Sequence, residues 1–341
     1  MNLREGLGFQ RLSPQEQQAY RMMLMGFSVM ALSLDCSRID RNVDLKKVFS
    51  AALGDNPSVI YFNKTKFEVE ESGLEKKLFF TGIYSKPQAE KMNSSLDEAA
   101  NKIVKYVKMV SNDEYSLLIN IYEFFQKKIR YDKEELQANS RGISNNPDSH
   151  NAYGALVNRL AVCDGFSSAF SLIAQKLGFE CMLVVGRSTY LTALQEHAWN
   201  IIKVKNKFYH LDITWDTRKY NEFDEYSYAY FAVTDEEIAN DHAWDKTTTP
   251  ICLSNDLSYY LKNGIYANNA EQLKQIIKTY GSKKSDVLRI KLSRIITLPS
   301  NAGEHLIQMV LNEEIKPGER KQASYSWNEK TRCFFAKIVT S

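Results

Sequence analysis

The sequence predicts an α+β fold, and three observations carry that expectation. From Cys163 to Leu177 the apolar residues Phe166, Ala169, Phe170, Ile173, Ala174 and Leu177 recur at three- and four-residue steps, one face of a helix, and Gly178 stops it. From His197 to Val204 and from Phe208 to Thr214 the chain alternates as two strands around a tight turn at Lys205-Asn206, Asn being tolerant of the left-handed conformation such turns need. The regions before and after this centre each mix helices and strands, which divides the chain into 1–111, a central core over 112–250, and 251–341.

Taken in order, Ser13-Pro14-Gln15-Glu16 is a capping box with proline at the first helical position, so Met22 to Leu34 reads as the interior of an amphipathic helix. That stretch is too short to span a bilayer. Lys46 to Leu53 is helical and Asp55-Asn56-Pro57 breaks it; Val59 to Phe62, Phe67 to Glu70 and Leu78 to Tyr84 read as strands, and Pro87 to Val110 returns to helix. The core opens with a helix from Asp113 to Ile129 whose buried stripe is Leu117, Leu118, Ile121, Phe124 and Phe125, followed by a polar loop over Arg141 to Asn151. Cys181 to Val185 is a buried strand, and Tyr226 to Val233 another; Thr234 then caps a helix, its carboxylates Asp235 to Glu237 serving that cap. Beyond Leu253 the pattern gives a helix near Asn269 to Tyr280, a strand over Leu288 to Leu292, a helix near Glu304 to Asn312 and two closing strands around Asn328-Glu329-Lys330.

Composition narrows the function. A chain of 341 residues with 44% hydrophobic and 25% charged residues is an ordinary globular protein, and its net charge of +3 selects no partner. Lys102, Lys105 and Lys108 make a solvated helix face, and the 19 Tyr and 17 Phe are scattered rather than gathered into a stacking platform, so nucleic acid is not expected. Phosphate-binding loops are missing, since Gly6-Leu7-Gly8 lacks a third glycine. The five cysteines, Cys36, Cys163, Cys181, Cys252 and Cys333, form no C-x-x-C and predict neither a zinc site nor a disulfide scaffold; no metal or cofactor is expected. A reducing, cytoplasmic setting fits that usage, with export as the alternative.

The chemistry concentrates between Ala161 and Asp216. Cys163 opens its helix, where unpaired N–H groups and the positive dipole end favour a thiolate. Gly165, without a Cβ, would let a substrate backbone approach, and Asp164 and Trp199 are further candidates to line the site. Pairing about Lys205-Asn206 sets Trp199 opposite Asp212 and His197 opposite Thr214, which leaves His197 and Asp212 diagonal on one face. His197 can then take the proton of Cys163, while Asp212 fixes the ring's tautomer. The N–H of Cys163 is one oxyanion donor, and Tyr153 and Asn158 are candidates for the second. Asp241-His242-Ala243-Trp244-Asp245 echoes the first histidine motif but has no paired strand or placed acid after it, so His242 is not expected to take part; His150 and His210 read as structural or solvated.

Tyr153-Gly154-Ala155-Leu156, Ala161-Val162-Cys163-Asp164-Gly165-Phe166, His197-Ala198-Trp199-Asn200 and Tyr209 to Asp216 together resemble the bacterial branch of the transglutaminase-like superfamily, over about residues 112 to 235. The resemblance implies a papain-like α+β core, the nucleophile's helix packed on an antiparallel sheet, with the triad on Cys163, His197 and Asp212. Phe208 stands where a Trp-type aromatic is common, and Arg187 to Glu196, expected to border the substrate cleft, lacks the usual glycines. The implied chemistry is thioester formation at amide or acyl carbonyls of a protein or peptide. Hydrolysis, as a peptidase or deamidase, is the leading reading. Acyl transfer from a glutamine carboxamide to an amine and a non-catalytic binding module are the alternatives.

Overall fold

The first helix begins where its cap signature stands. Ser13 accepts from the Glu16 N–H and Glu16 reaches back to the Ser13 N–H, so α1 runs Pro14–Val29 and closes on Met30 in the left-handed region. It ends earlier than its apolar composition suggests, because Leu34 belongs to a short strand, β1 (Ser33–Asp35). The computed structural model describes residues 3–190, 193–217, 225–282, 287–314 and 321–340. The chain continues through α2 (Leu45–Asp55) and the hairpin β2 (Phe62–Ser72) and β3 (Glu75–Gly82). Val59 to Tyr61 lie outside the strand, and a register shift between Phe62 and Phe67 makes one bulged strand of the two runs read from sequence. Phe27, Phe49, Phe62 and Phe80 pack against one another in the core beneath this hairpin.

Two helices, α3 (Lys86–Val110) and α4 (Glu114–Lys128), lead to the pair β4 (Arg130–Tyr131) and β5 (Leu160–Ala161), between which lie α5 (Lys133–Asn139) and the polar loop. The next helix, α6, spans Cys163–Lys176 and buries Phe166, Ala169, Phe170, Ile173 and Ala174, the stripe its periodicity specified. Phe125 of α4 meets it edge-on at Phe170, with ring centroids 5.9 Å apart. On its other side α6 packs on the strands that follow, β6 (Glu180–Tyr190) and β7 (Ala193–Val204), and Asn200 ties the layers by donating to Ser167 O and Ser171 Oγ.

The β7 to β8 (Lys207–Leu211) hairpin has the anticipated register, Asn200↔Leu211 through Val204↔Lys207, with Lys205 and Asn206 at φ 47° and 65°. Positive φ at both central residues is what a two-residue turn needs to match strand twist. The pairing stops sooner than the alternation implied. Residues 213–217 form a helical turn, α7, so Ile213 and Thr214 leave the sheet. Beyond it lie β9 (Phe231–Val233), shorter than the Tyr226 to Val233 run, the capped helix α8 (Asp235–Ile238) and β10 (His242–Trp244). In the central sheet β10, β6, β7 and β8 lie side by side, each pair antiparallel. Arg187 to Tyr190 and the residues from Ala193 continue β6 and β7, so the segment expected to border the cleft is mostly paired strand; 191–192 fall outside the described residues.

The chain forms two compact units, residues 1–227 with 242–252, and 228–241 with 253–341. The second continues with α9 (Tyr259–Lys262), β11 (Tyr266–Ala267), α10 (Ala270–Ser282), β12 (Val287–Leu292), α11 (Ala302–Glu314), β13 (Lys321–Asn328) and β14 (Cys333–Thr340). Its sheet has the order β11-β12-β14-β13, and Leu273, Ile277, Leu306, Val310 and Phe334 fill its core. The architecture is α+β with mainly antiparallel sheets. Among the described residues, no helix is long and apolar enough to cross a membrane.

Candidate active site

Cys163 is the first residue of α6 and is partly exposed. Ser167, one turn on, bridges the helix to the sheet: its hydroxyl donates to the Cys163 carbonyl at 2.8 Å and faces the Ala198 carbonyl at 2.9 Å. The N–H groups of Ala198 and Asp164 face the sulfur. Burial nevertheless pushes the thiol up to about 12, and the Asp164 carboxylate adds to the rise. Burial and the neighbouring carboxylate thus oppose the thiolate that the helix start favours.

His197 has an acid placed beside it. His197 Nε2 lies 2.8 Å from Asp212 Oδ2, and both side chains are buried. Asp212 gets its position from the strand-to-helix switch: it caps α7, its Oδ1 accepting from Thr214 N at 3.0 Å and Trp215 N at 3.2 Å. Beneath it, the Tyr122 hydroxyl donates to the Asp212 carbonyl or to Asp216 Oδ2, at 3.1 and 2.7 Å. Burial works against the Asp212 charge, but the imidazoles of His197 and His242 overcome it and hold the carboxyl below the usual carboxylate range. An ionised carboxylate only accepts, so Nε2 of His197 carries the proton and Nδ1 is left as the basic nitrogen.

His242 belongs to this cluster, contrary to the expectation for it. Its Nε2 is 3.1 Å from the same Asp212 oxygen, and its side chain is fully buried. The sequence offered one signal, the repeated His-Ala-Trp, but not the partner: β10 pairs with β6, His242 opposite Ser188, while β6 pairs on its other side with β7, Gly186 opposite His197. Both histidines therefore face the same way across one strand. Gly186 makes room between them, because a Cβ there would lie 2.4 Å from the Ala243 carbonyl and 2.8 Å from the Trp199 ring. Trp199 fills that space fully buried, stacked near His197 with centroids 5.9 Å apart and donating its indole N–H to His210 Nδ1 at 3.0 Å. It supports the ring of His197 from within the core rather than lining an open cleft. Trp215, partly exposed, covers both histidines, its centroid 5.9 Å from His197 and 5.0 Å from His242.

Residues 91–213 match the family model described as the transglutaminase-like superfamily. This segment is similar to a transglutaminase-like core. Among solved structures the chain is similar to one described as a TGase, at a TM-score of 0.32 and 15% identity, over 44% of this chain and 44% of that one. It is also similar to one from Cytophaga hutchinsonii described as "a Putative Cysteine Protease", at a TM-score of 0.28 and 12% identity, over 44% of this chain and 61% of that one. The chain thus spans less than two thirds of either neighbour. No curated protein matches it.

The remaining candidates have partners of their own. Gly165 does leave room for a backbone, but for the chain's own: a Cβ would sit 2.2 Å from the Ser149 carbonyl, which accepts from Val162 N. Asn158 is exposed and spends its amide on Asp148 at 3.0 Å, and the Tyr153 N–H donates to Asn151 Oδ1 at 2.8 Å. Asp164 pairs with His150, whose Nδ1 lies 3.0 Å from it and whose Nε2 lies 3.1 Å from Glu135. The Glu135 carboxylate also accepts from Ser144 Oγ and from the N–H groups of Asn145 and Asn146, so the polar loop is wrapped around it. His210, as expected, is a buried structural group. A cation would find two imidazoles and a carboxylate in His197, His242 and Asp212, whose ligand atoms lie within 4.8 Å of one another. Those same atoms also hydrogen-bond one another around Asp212 Oδ2.

Proposed function

We propose that the chain is a cysteine-nucleophile enzyme that acts on peptide or glutamine-type amide carbonyls through a thioester, with water as acyl acceptor. The observation that supports it is the Asp212 to His197 hydrogen bond on the strand whose Ala198 N–H faces the Cys163 sulfur. The match of residues 91–213 to the transglutaminase-like superfamily supports the same class of chemistry.

In this reading His197 Nδ1 accepts the thiol proton as Sγ of Cys163 forms its bond to the substrate carbonyl carbon, and the carbonyl π bond opens to an oxyanion. The backbone N–H of Cys163, free of an intrahelical partner at the helix start, stabilises that oxygen. Collapse breaks the C–N bond, and His197 returns the proton to the departing amine or ammonia. Water then gives a proton to His197 and its hydroxide to the acyl carbon; the C–S bond breaks, His197 returns that proton to the departing sulfur, and a carboxylic acid and the thiol result. Asp212 stays ionised throughout, offsetting the imidazolium charge. Burial raises the thiol pKa, which favours His197 acting as a general base in the first step.

Mass spectrometry after incubation with a glutamine-bearing peptide, with and without a primary amine, tests this. Cleavage, or conversion of the carboxamide to a carboxylate, is the expected result, and it should vanish in Cys163→Ala. Amine incorporation in place of hydrolysis would assign transfer, and no covalent change with any peptide presented would leave a binding module.

A further inference from the structure

The charge relay contains a second imidazole that the triad does not use. Asp212 Oδ2 receives His197 Nε2 at 2.8 Å and His242 Nε2 at 3.1 Å, while Oδ1 receives the N–H groups of Thr214 and Trp215. Four donors thus fix one carboxylate, two on each oxygen. The α7 amides hold one end of its plane. They leave open how the other oxygen divides its lone pairs, and a single imidazole there could swing with it. A second N–H on Oδ2 removes that freedom, because rotation of the carboxylate would now break hydrogen bonds on both oxygens in a buried site.

His242 is built into this place. It stands on β10 across β6 from His197, on the same sheet face, and the strand between them carries Gly186, where a side chain would strike the Ala243 carbonyl. Its own side chain is fully buried, and its ring lies 5.0 Å from both Trp199 and Trp215. It has no route to a substrate, so any influence on the reaction passes through Asp212.

We propose that His242 is a positioning residue: its Nε2–H locks Asp212 Oδ2 in the orientation that accepts from His197, and so keeps His197 in the single tautomer whose Nδ1 is the base. This rests on the enzymatic reading above for its effect on turnover, but not for its effect on the His197 ring. It also gives the repeated His-Ala-Trp a meaning, with one copy supplying the base and the other holding the acid.

Two variants separate positioning from bulk packing. His242→Phe keeps a ring but removes the donor; His242→Gln places an amide N–H near the same point. His242→Phe should lower kcat by about tenfold or more with little change in KM, and His242→Gln should recover most of the loss. Nitrogen-15 NMR of histidine-labelled protein reads the relay directly, without a substrate. Wild type and His242→Gln should show His197 as one Nε2–H tautomer, and His242→Phe should show exchange between two. A His242→Phe protein with the His197 signature of wild type would overturn the inference, whatever its turnover; so would equal kcat in all three proteins. If wild type turns over no amide at all, the proposed function falls, yet the NMR comparison still decides the role of His242.

Discussion

Two carboxylates of the first unit are buried to the same degree and behave in opposite ways. Asp55, at the end of α2, and Asp212, at the start of α7, are 1% and 0% exposed. Each accepts two backbone N–H groups, from Gly8 and Phe9 at Asp55 and from Thr214 and Trp215 at Asp212. Burial raises the pKa of Asp55, and the N–H groups and the Tyr20 hydroxyl do not undo it. At Asp212 burial pushes the same way, and two imidazoles reverse it. Neutral donors alone thus make a structural knot that ties the N-terminal segment to α2. A carboxylate that must stay charged while a neighbouring ring gains a proton needs partners that can themselves carry charge. The two also sit at opposite ends of one helix, since Gln175 near the end of α6 donates to the Asp55 carbonyl and Cys163 begins it, twelve residues and about 18 Å away by helical rise.

The largest expected effect breaks the comparison at Asp212. Asp212→Asn should keep the fold, because the amide oxygen can still accept from the α7 N–H groups. Turnover should fall by about 10³ to 10⁴-fold, as the amide can no longer favour the His197 imidazolium. Circular dichroism and steady-state hydrolysis of a peptide substrate check this together. Full turnover in the folded variant would mean that some other acid orients the ring. Asp55→Ala should do the reverse. Leaving the Gly8 and Phe9 N–H groups and the Tyr20 hydroxyl without their acceptor should cost about 3 kcal/mol in urea unfolding, while kcat of the folded protein stays that of wild type. A loss of kcat there would couple the two ends of α6.

What the sequence disclosed and what it hid divide along the same line of local against distant causes. The hairpin register was readable because two residues, Lys205 and Asn206, set it, and the α6 stripe because its period is internal to the helix. The diagonal placing of His197 and Asp212 followed from that register. The helix switch after Asp212 was hidden by alternation that continued through Ile213 and Thr214, although an Asp closing a strand is itself a capping signal. His242 was hidden for a deeper reason. A three-residue strand has no period to read, and its partner β6 lies more than fifty residues earlier, so nothing local marks the pairing. The dipole of a helix start is visible in sequence, whereas the burial that opposes it at Cys163 is not.

Gly186 tests the packing that holds His242 beside Asp212. Gly186→Ala would drive its Cβ against the Ala243 carbonyl and the Trp199 ring, displacing the strand that carries His242. A loss of about 2 kcal/mol in stability is expected, together with the NMR signature of a mobile His197. A destabilised protein whose His197 resonance stays sharp would show that β10 serves the fold and not the relay.

The smallest effect is in the pH dependence of stability, where the two carboxylates should have opposite signs. The Asp212 pKa is below its ordinary value of 3.8 in the folded state, so between the two values the unfolded chain binds more protons. Its contribution is therefore complete above that ordinary value and is lost as pH falls toward the folded pKa. The Asp55 pKa is raised above 3.8, so its contribution is complete below that value and is lost as pH rises through the folded pKa. Each carboxyl adds a slope of at most about 1.4 kcal/mol per pH unit. Urea midpoints measured from the acid limit of folding up to neutrality should show Asp212→Asn losing part of the rise at the acid end. Asp55→Asn should lose part of the decline that follows it. If both variants removed slope of the same sign, the imidazoles would not be what distinguishes the two sites, and the assignment of Asp212 to the relay would lose its electrostatic ground.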